Sequence, residues 1–536
     1  MPRNFETKYF DDSFVSSPNL RSYFGNVVRG QPKVYDTPFA KGVPFKQVLE
    51  AWMEILESVA TRWPTLWDFE VDHAKKVGPM SVMLPLEKRM SDIESYYEGI
   101  LLPSTDLDRR ALLAVRSEFS QVRGLRMRSQ ARTVELMKKS TNSGSPYFTK
   151  RRLVTEKTFP ASVWNARVRK EPEICLQSLG RDEFSASAIL GWRGQEGGPS
   201  AADTKQRVVW MFPYAVNACE LQVYQPLIEA AQRFNLVPAW VSMDAVDTRI
   251  TRLFDSKPDS QLVVCTDFSK FDQHFNPSLQ QAALQLITEL FTMDEPMQTW
   301  SREVFPIKYM IPLAYDYGKV KFGRHGMGSG SGGTNADETL AHRALQYEAA
   351  ILAGAKLNPN SQCLGDDGML TYPGITVEDV VNAYRSHGLE MNEGKQYAAT
   401  QDCVYLQRWH HKNYRVGGIC AGVYSSARAL GRLKYLERWQ DPKYWDEKAV
   451  ALRQLSILEN VKYHPLKEQF VEFCMKRDKY RLGLDIPHFL DDIRAIAMEK
   501  TEDMPDFLGY TKGLQSQGDP TGGIENWWIV KYLKSR

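Results

Sequence analysis

Three short segments carry carboxylates, hydroxyls and glycines in patterns that could hold a hard cation or meet a polyanion. In QLVVCTDFSKFDQHFNP, Asp267 closes an apolar run and Asp272 follows on the loop. A carboxylate at the end of a buried strand is a common place to hold a hard cation, although a D-x4-D pair by itself is more often a turn or a helix cap. In SQCLGDDGMLTY, Gly365-Asp366-Asp367-Gly368 joins two short apolar runs as a tight hairpin. Gly and Asp are ordinary hairpin residues. Here, however, the flanking runs are too apolar for a solvent-lapped ribbon, and adjacent carboxylates repel unless a cation lies nearby. In GRHGMGSGSGGTNADE, six glycines between 323 and 333 lead into a helix. A Gly/Ser loop feeding a helix N-terminus suits a backbone that shifts against a polyanion or a nucleotide.

The elements that must position these residues follow from local pattern. Leu262–Thr266 reads as a buried strand, and a helix starts after Asn276 as N-cap, with Pro277 at its first position and Leu279, Ala283, Leu286, Ile287 and Leu290 on one face. Met369–Tyr372 returns from the hairpin. The third helix is expected to open at Thr334 with Thr334-x-x-Asp337 as a capping box, to bury Leu340, Ala344, Tyr347 and Ile351, and to stop at Gly354. From about 261 to 410 strands and helices alternate as a mixed α/β layer. After about 415 the pattern is helical, with helices expected over Arg428–Trp439, Trp445–Glu459, Leu466–Arg477 and Phe489–Lys500. The first 65 or so residues lack periodicity until Phe45–Ser58 and read as an extension draped over other parts.

Composition bounds the class. The 536 residues, 43% hydrophobic and 25% charged, are those of a folded globular chain of several domains rather than a disordered one. With 68 basic against 65 acidic residues, bulk charge does not call for a polyanion, so any nucleic-acid site must come from clustering. Such a cluster is Gln121–Arg152, where Arg123, Arg126, Arg128, Arg132, Lys138, Lys139, Lys150, Arg151 and Arg152 face one acid, Glu135. Seven scattered cysteines without a CxxC pair fit free thiols. The first residues lack the apolar core of a signal peptide and no run is long enough to span a membrane, so a soluble, intracellular protein is expected. Adjacent His410 and His411 point to opposite faces of a strand and have no partners at ligand spacing, so they are not read as a zinc site.

Taken together, D-x4-D after a strand, S-G-x3-T-N into a helix and GDD on a hairpin, in this order, resemble viral RNA-dependent RNA polymerases. Asp267 and Asp272 would be motif A, Ser329-Gly330 with Thr334-Asn335 motif B, and Gly365-Asp366-Asp367 motif C. The wording DFSKFDQHF and the GSGSGGTNADE loop most resemble the picobirnavirus enzymes, relatives of those of partitiviruses. The resemblance then locates Lys205-Gln206-Arg207 as motif F, Ser143-Gly144-Ser145-Pro146 as motif G, Lys395 as the motif D lysine, and strands around Val404–His410 and Tyr414–Gly418 as motif E. A Walker loop is excluded at Gly388–Gln396, because the spacing is one residue too long and Gln396 replaces the Ser/Thr.

The resemblance implies an α/β (α+β) closed right hand with fingers, palm and thumb, the palm an RRM-like antiparallel sheet packed on helices. It implies an extension over 1–65 bridging fingers and thumb, fingers over 66–235 and 275–326, palm over 236–274 and 327–410, and thumb with C-terminal tail over 411–536. The implied activity is template-directed RNA synthesis from rNTPs by two-metal chemistry, with Asp267, Asp366 and Asp367 as ligands of Mg2+, for which Mn2+ can substitute. Lys395 is then the candidate general acid, Lys205 and Arg207 the triphosphate contacts, and Asp272 with Ser329, Thr334 and Asn335 the ribose contacts. In many relatives the motif B asparagine comes four residues after the threonine, where this chain has Glu338. The basic segment 121–152 would track template phosphates or form a charged helix face, and Trp527 and Trp528 in the tail could stack an initiating nucleotide or simply pack in the thumb. Expected partners are RNA template and product duplex, rNTPs and a viral capsid protein. A monomer is expected, in the virion interior and host cytoplasm, serving a double-stranded RNA genome. Two rival readings are a reverse transcriptase sharing the palm, and an RNA-binding capsid component with an inactive palm. Gly365 and Asp272 stand where a reverse transcriptase carries an aromatic or Ala and a bulky gate, and retention of three carboxylates and Lys395 argues against the inactive form.

Overall fold

The computed structural model describes residues 18–166, 174–179, 182–503 and 519–536. Its centre is a four-stranded antiparallel sheet of Val263–Thr266, Gln362–Leu364, Asp367–Leu370 and Tyr397–Ala399, arranged in the spatial order fourth, first, third, second. That order places the first and third strands side by side in the middle, with Gly368 opposite Thr266. It is the split βαβ arrangement of ferredoxin-like sheets. Helices Pro277–Leu290 and Thr334–Leu352 lie between the first and second strands in the chain, and Val377–Arg385 between the third and fourth. The helix at 277 starts where its cap dictates, since the Asn276 side chain accepts from the backbone N–H of Ser278 (3.0 Å) and Leu279 (3.3 Å).

Helix Thr334–Leu352 is buried nearly all round rather than on one stripe, so it is a core helix beneath the sheet. Its capping box does not form. Asp337 points into the core, where it accepts from the hydroxyls of Tyr224 and Tyr309 (both 2.6 Å) and pairs with Lys308 (3.0 Å), and the cap position is Gly333. The box was a local reading, and buried hydroxyls and a buried cation compete successfully for that carboxylate.

A second four-stranded sheet runs in the order Lys205–Met211, Ala188–Gln195, Leu313–Asp316, Lys319–Lys321. A three-stranded sheet is built from Ala161–Ala166, Ile174–Leu179 and Asp182–Ala186. The C-terminal helices Ser426–Lys434, Glu447–Glu459, Lys467–Met475 and Ile493–Asp503 are each shorter at one end or both than periodicity suggests, or shifted by a few residues, and a further helix, Trp528–Lys534, has no counterpart in the sequence reading. They share a core with the helix Phe45–Leu56, whose Trp52 packs on Phe470 and Phe473 at 4.8 and 5.3 Å and donates to Ser426 (2.9 Å). Helix Pro18–Arg29 instead buries Leu20 and Phe24 with Ile189 and Ala314 of the second sheet. Trp527 and Trp528 pack against this C-terminal helical core, and the Trp528 and Ile529 N–H groups donate to Glu459. The stretch 504–518, which includes the start of the Gly-rich tail, lies outside the described residues, as does 1–17 of the extension.

The motif E expectation needs correction. Val404–His410 is not one strand: Asp402–Tyr405 and Arg408–His411 form a hairpin whose turn residues Leu406 and Gln407 have φ of 53° and 58°. The third strand of that sheet is Val423–Tyr424, and Tyr414–Gly418 is a turn. Six of the cysteines are free and buried, and Cys175 lies among side chains outside the description. Among the described residues, no helix is long and apolar enough to cross a membrane.

Candidate active site

The sheet register brings the first two carboxylate segments together. Asp267 leaves the end of Val263–Thr266, and Asp366 sits at the tip of the adjoining hairpin, both at the same edge of neighbouring strands and both exposed. Gly365 adopts φ +57°, which favours glycine. The turn is held from below by the core helix: Gly365 N–H donates to Thr339 Oγ1 (2.9 Å), and His342 Nδ1 bonds the Gly365 carbonyl (2.8 Å). A Cβ on Gly368 would meet the His342 ring at 2.6 Å, so the second glycine of GDDG makes room for that imidazole. Neither Thr339 nor His342 carried a sequence signal, because the partner lies more than twenty residues away along the chain.

The electrostatics are those of crowded carboxyls. Although the Asp366 side chain reaches solvent, the protein packed around it desolvates its charge and raises its pKa. The charge of Asp272 raises it further, and Arg207 opposes. Asp367 is pushed up to about 7 by burial first and by Asp366 next, even though its Oδ2 accepts the Leu406 N–H at 2.8 Å. Glu338, four residues after Thr334, is raised well above the usual carboxylate range by burial and then by the charge and hydrogen bond of Asp272. Its Oε1 is buried without a partner. In the sequence Glu338 is only a departure from the family pattern, whereas in the structure it feels the charges of Asp272, Asp366 and Asp337.

Hard oxygen donors that repel one another are the donor set a divalent cation of the Mg2+ type takes, and such an ion needs few protein ligands because it keeps waters and phosphates. Asp267, Asp366 and Asp367 fit that chemistry. Among the described residues no group of three or more His, Cys, Asp or Glu side chains stands close enough together to hold a metal ion by itself, so the fit rests on the chemistry of these donors and not on a preformed cluster.

Around this cluster, Lys205 and Arg207 project on one side of the strand Lys205–Met211, exposed, while Gln206 on the other side bonds the backbone of Val82 (2.9 Å) and Leu84 (3.1 Å). Burial and nearby Lys76 pull the Lys205 ammonium below its usual range, with the charges of Glu196 and Asp267 acting in the opposite direction. Lys395 is exposed on a short turn, Glu393–Lys395, whose next residue, Gln396, accepts the Asp267 N–H. Asn335 Oδ1 accepts from Trp240 (2.7 Å), and the Thr334 hydroxyl is turned to the carbonyls of Gly328 and Ser331. Ser329 lies half-buried against Val208. The Ser143–Pro146 turn is buried against the same strand's end, where Tyr214 N–H donates to Ser143 O (2.9 Å).

The basic segment is not one continuous face. Arg128 is paired with Glu229, and Arg151 lies over the Tyr214 ring and donates to Asn217 (2.8 Å). Arg123, Arg126, Arg132, Lys138 and Arg152 keep exposed side chains. His410 is bound to Asp247 (2.8 Å) with Arg408, while His411 packs on Trp63, each on its own side of the strand.

The glycine loop is clamped by Glu220, fully buried, which accepts from the Ser331 hydroxyl and the Gly332 N–H (3.1 Å), while Asn217 donates to Gly330 O (3.1 Å). A Cβ at Gly330 would lie 1.6 Å from the Trp210 carbonyl. Gly330→Ala is therefore expected to push the loop off its seat and slow the chemistry of the site by about 10²-fold, the size expected when reacting groups are displaced by an ångström. The turnover rate of the variant tests this, and a near-wild-type rate would mean the loop position is not critical.

His342 also gives a pH prediction. Burial lowers its pKa from 6.5 to about 4, and its Nε2 has no partner. Unfolded His binds a proton below about 6.5 and the folded one only below about 4, so between these values the unfolded state holds more protons. Stability attributable to His342 is complete above that window and is lost as pH falls through it, at about 1.4 kcal/mol per pH unit. Unfolding midpoints over this range should fall less steeply for His342→Gln than for the wild type; equal slopes would refute the assignment.

A ferredoxin-like sheet carrying an aspartate at its first strand's end and GDD on the adjoining hairpin, backed by a glycine loop and a basic strand, is the arrangement of a templated nucleotide polymerase. The profile of the viral RNA-dependent RNA polymerase family matches residues 79–418. The chain belongs to that family, and it is a viral RNA-directed RNA polymerase. It is 59% identical, over 99% of both chains, to a protein of human picobirnavirus described as a potential RNA-dependent RNA polymerase. The crystal structure of the RNA-dependent RNA polymerase of a human picobirnavirus superposes with a TM-score of 0.93 at 59% identity, covering 100% of this chain and 99% of that one. An insertion-loop deletion mutant of such a polymerase superposes at 0.92 with 57% identity, covering 100% and 99%.

Proposed function

We propose that this enzyme copies an RNA template by two-metal nucleotidyl transfer from rNTPs, replicating and transcribing a double-stranded RNA genome. The observation that carries the reading is the pairing of Thr266 with Gly368, which sets Asp267 beside the Asp366 turn with Arg207 as the opposing cation. Mg2+ ions, for which Mn2+ can substitute, would be held by Asp267, Asp366 and Asp367 and would supply stabilisation of the charge developing on the attacking and leaving oxygens. Lys205 and Arg207 neutralise the triphosphate and hold it in line. Asp272, with Glu338 hydrogen-bonded behind it, meets the ribose 2′-OH, a group that both donates and accepts; Ser329, Thr334 and Asn335 shape that side of the site. Lys395 delivers a proton to the departing pyrophosphate oxygen.

In this reading 236–274 and 327–410 are the palm, 66–235 and 275–326 the fingers and 411–536 the thumb. The extension over 1–65 closes the hand, a role supported by the packing of its helix Pro18–Arg29 on the second sheet and of its helix Phe45–Leu56 on the C-terminal helices. The exposed members of the 121–152 segment follow template phosphates. The enzyme acts as a monomer alongside a capsid protein, in the virion interior and host cytoplasm.

The test is incorporation of labelled nucleotides on a single-stranded RNA template with Mg2+ or Mn2+. Template-dependent product from rNTPs and little from dNTPs is expected. Efficient dNTP use would favour a reverse transcriptase, and RNA binding without product under either ion, primed or unprimed, would favour an inactive palm.

A further inference from the structure

The fourth strand of the central sheet ends in an unusual way. Tyr397 pairs with Cys265, so continuing the antiparallel ladder would set Gln396 opposite Thr266 and Lys395 opposite Asp267. The backbone does not continue. Lys395 N–H turns back to Asn392 O (3.0 Å) and Gln396 N–H to Glu393 O (3.2 Å), which coils 393–395 into a turn and takes both donors away from the neighbouring strand.

The Gln396 side chain fills the vacated place. Its Oε1 accepts the Asp267 N–H at 2.7 Å, and its Nε2 donates to the Asp267 carbonyl at 2.9 Å. A primary amide carries a donor and an acceptor spaced as in a peptide group, so this side chain extends the ladder one step while the main chain leaves it. The same Nε2 also donates to Asn392 O (2.9 Å), and Asn392 Oδ1 accepts from Gly394 N–H (2.9 Å). The turn is thus stitched internally, and one carboxamide fastens it to both backbone polar groups of Asp267. A second attachment follows two residues on, where Ser269 N–H donates to Glu390 O (2.9 Å).

We propose that Gln396 is a positioning residue for nucleotide addition: by clasping the Asp267 backbone it holds the Lys395 turn in register with the Asp267 carboxylate, so that the group at the leaving oxygen and the group at the attacking centre move as one unit. This rests on the roles given to Asp267 and Lys395 above. The clasp fixes the Asp267 peptide and hence the direction in which its side chain leaves the backbone. It lies at the surface, where Asp267 and Lys395 are exposed, so its loss leaves the buried core untouched.

The test is pre-steady-state extension by the full chain for Gln396→Met, which keeps length and removes both bonds, for Lys395→Met, and for the double variant. Gln396→Met is expected to lower the addition rate by about 10- to 100-fold while leaving the rNTP KM within about threefold and the melting temperature unchanged. Its pH–rate profile should lose the alkaline limb as that of Lys395→Met does. The double variant should be no slower than the slower single variant, because both changes remove one unit. A wild-type rate for Gln396→Met overturns the inference, as do losses that multiply in the double variant. A wild-type rate for Lys395→Met defeats the proton-donor role proposed above and the coupling with it. Loss of product with every chain, wild type included, would defeat the polymerase reading itself.

Discussion

Asp366→Ala is expected to abolish template-directed synthesis while leaving the folded chain intact or slightly more stable. The carboxylate sits on a glycine-shaped turn at the edge shared with Asp267, and its field is felt by Asp367 and Glu338. Its own pKa is raised by shielding from water and then by Asp272, so in the absence of a cation the charge at position 366 is a repulsive feature that folding tolerates. Removing it relieves that repulsion. The same removal takes away an oxygen donor where charge develops during phosphoryl transfer, for which a loss of at least about 10³-fold, on the order of 4 kcal/mol of transition-state stabilisation, is expected. The two effects have opposite signs, which makes the experiment decisive. Extension assays should show no product, while melting curves without divalent ions should match or exceed the wild type. A variant that melts much earlier would mean the turn needs the aspartate for folding, and one that retains a tenth of the activity would remove Asp366 from the site.

The second large effect is expected at a pair that touches no substrate. Lys308 is completely buried 3.0 Å from Asp337, with its ammonium 3.6 Å from the Phe305 ring centre, and Tyr224 and Tyr309 donate to the same carboxylate at 2.6 Å. Burial drives the Lys308 pKa down, and Asp337 is the main force acting the other way. Asp337→Ala removes the counter-ion of a buried ammonium, which keeps only the Phe305 carbonyl at 2.8 Å, and the acceptor of two buried phenols, a change that costs about 3–5 kcal/mol. Because Asp337 lies in the first turn of the helix that follows the glycine loop, the loss should be felt there. Hydrogen exchange should accelerate through 334–352 and the apparent melting temperature should fall. Replacing both members with apolar residues, Lys308→Met with Asp337→Leu, should recover much of the stability, since no uncompensated charge remains. Equal stability of Asp337→Ala and wild type would mean that Lys308 finds water or another partner. Failure of the double variant to recover would locate the cost in the two tyrosines.

What could be read without coordinates was local. The strand ending at Asp267, the Asn276 cap with Pro277, the GDD turn and the helix after the glycine loop each depend on residues within a turn or two of one another, and each lies where periodicity and caps indicated. Errors arose where a local pattern met a distant competitor. Thr334-x-x-Asp337 has the spelling of a capping box, but Lys308, Tyr224 and Tyr309 claim the carboxylate. Leu406-Gln407 has no turn spelling, yet it takes the left-handed conformation that type I′ hairpins require, with its first N–H held by Asp367 from another strand.

The sequence by itself determined which residue types stand at the edge of the central sheet, and so the family and class of chemistry. Only the tertiary structure decided which groups hold those residues: Gln396 on Asp267 from 129 positions away, His342 under Gly365 from 23, Glu220 on Ser331 from 111. Hydrophobic period and capping report on neighbours along the chain. A hydrogen bond closed across a sheet or between helices depends on packing of everything in between, and no local pattern carries it.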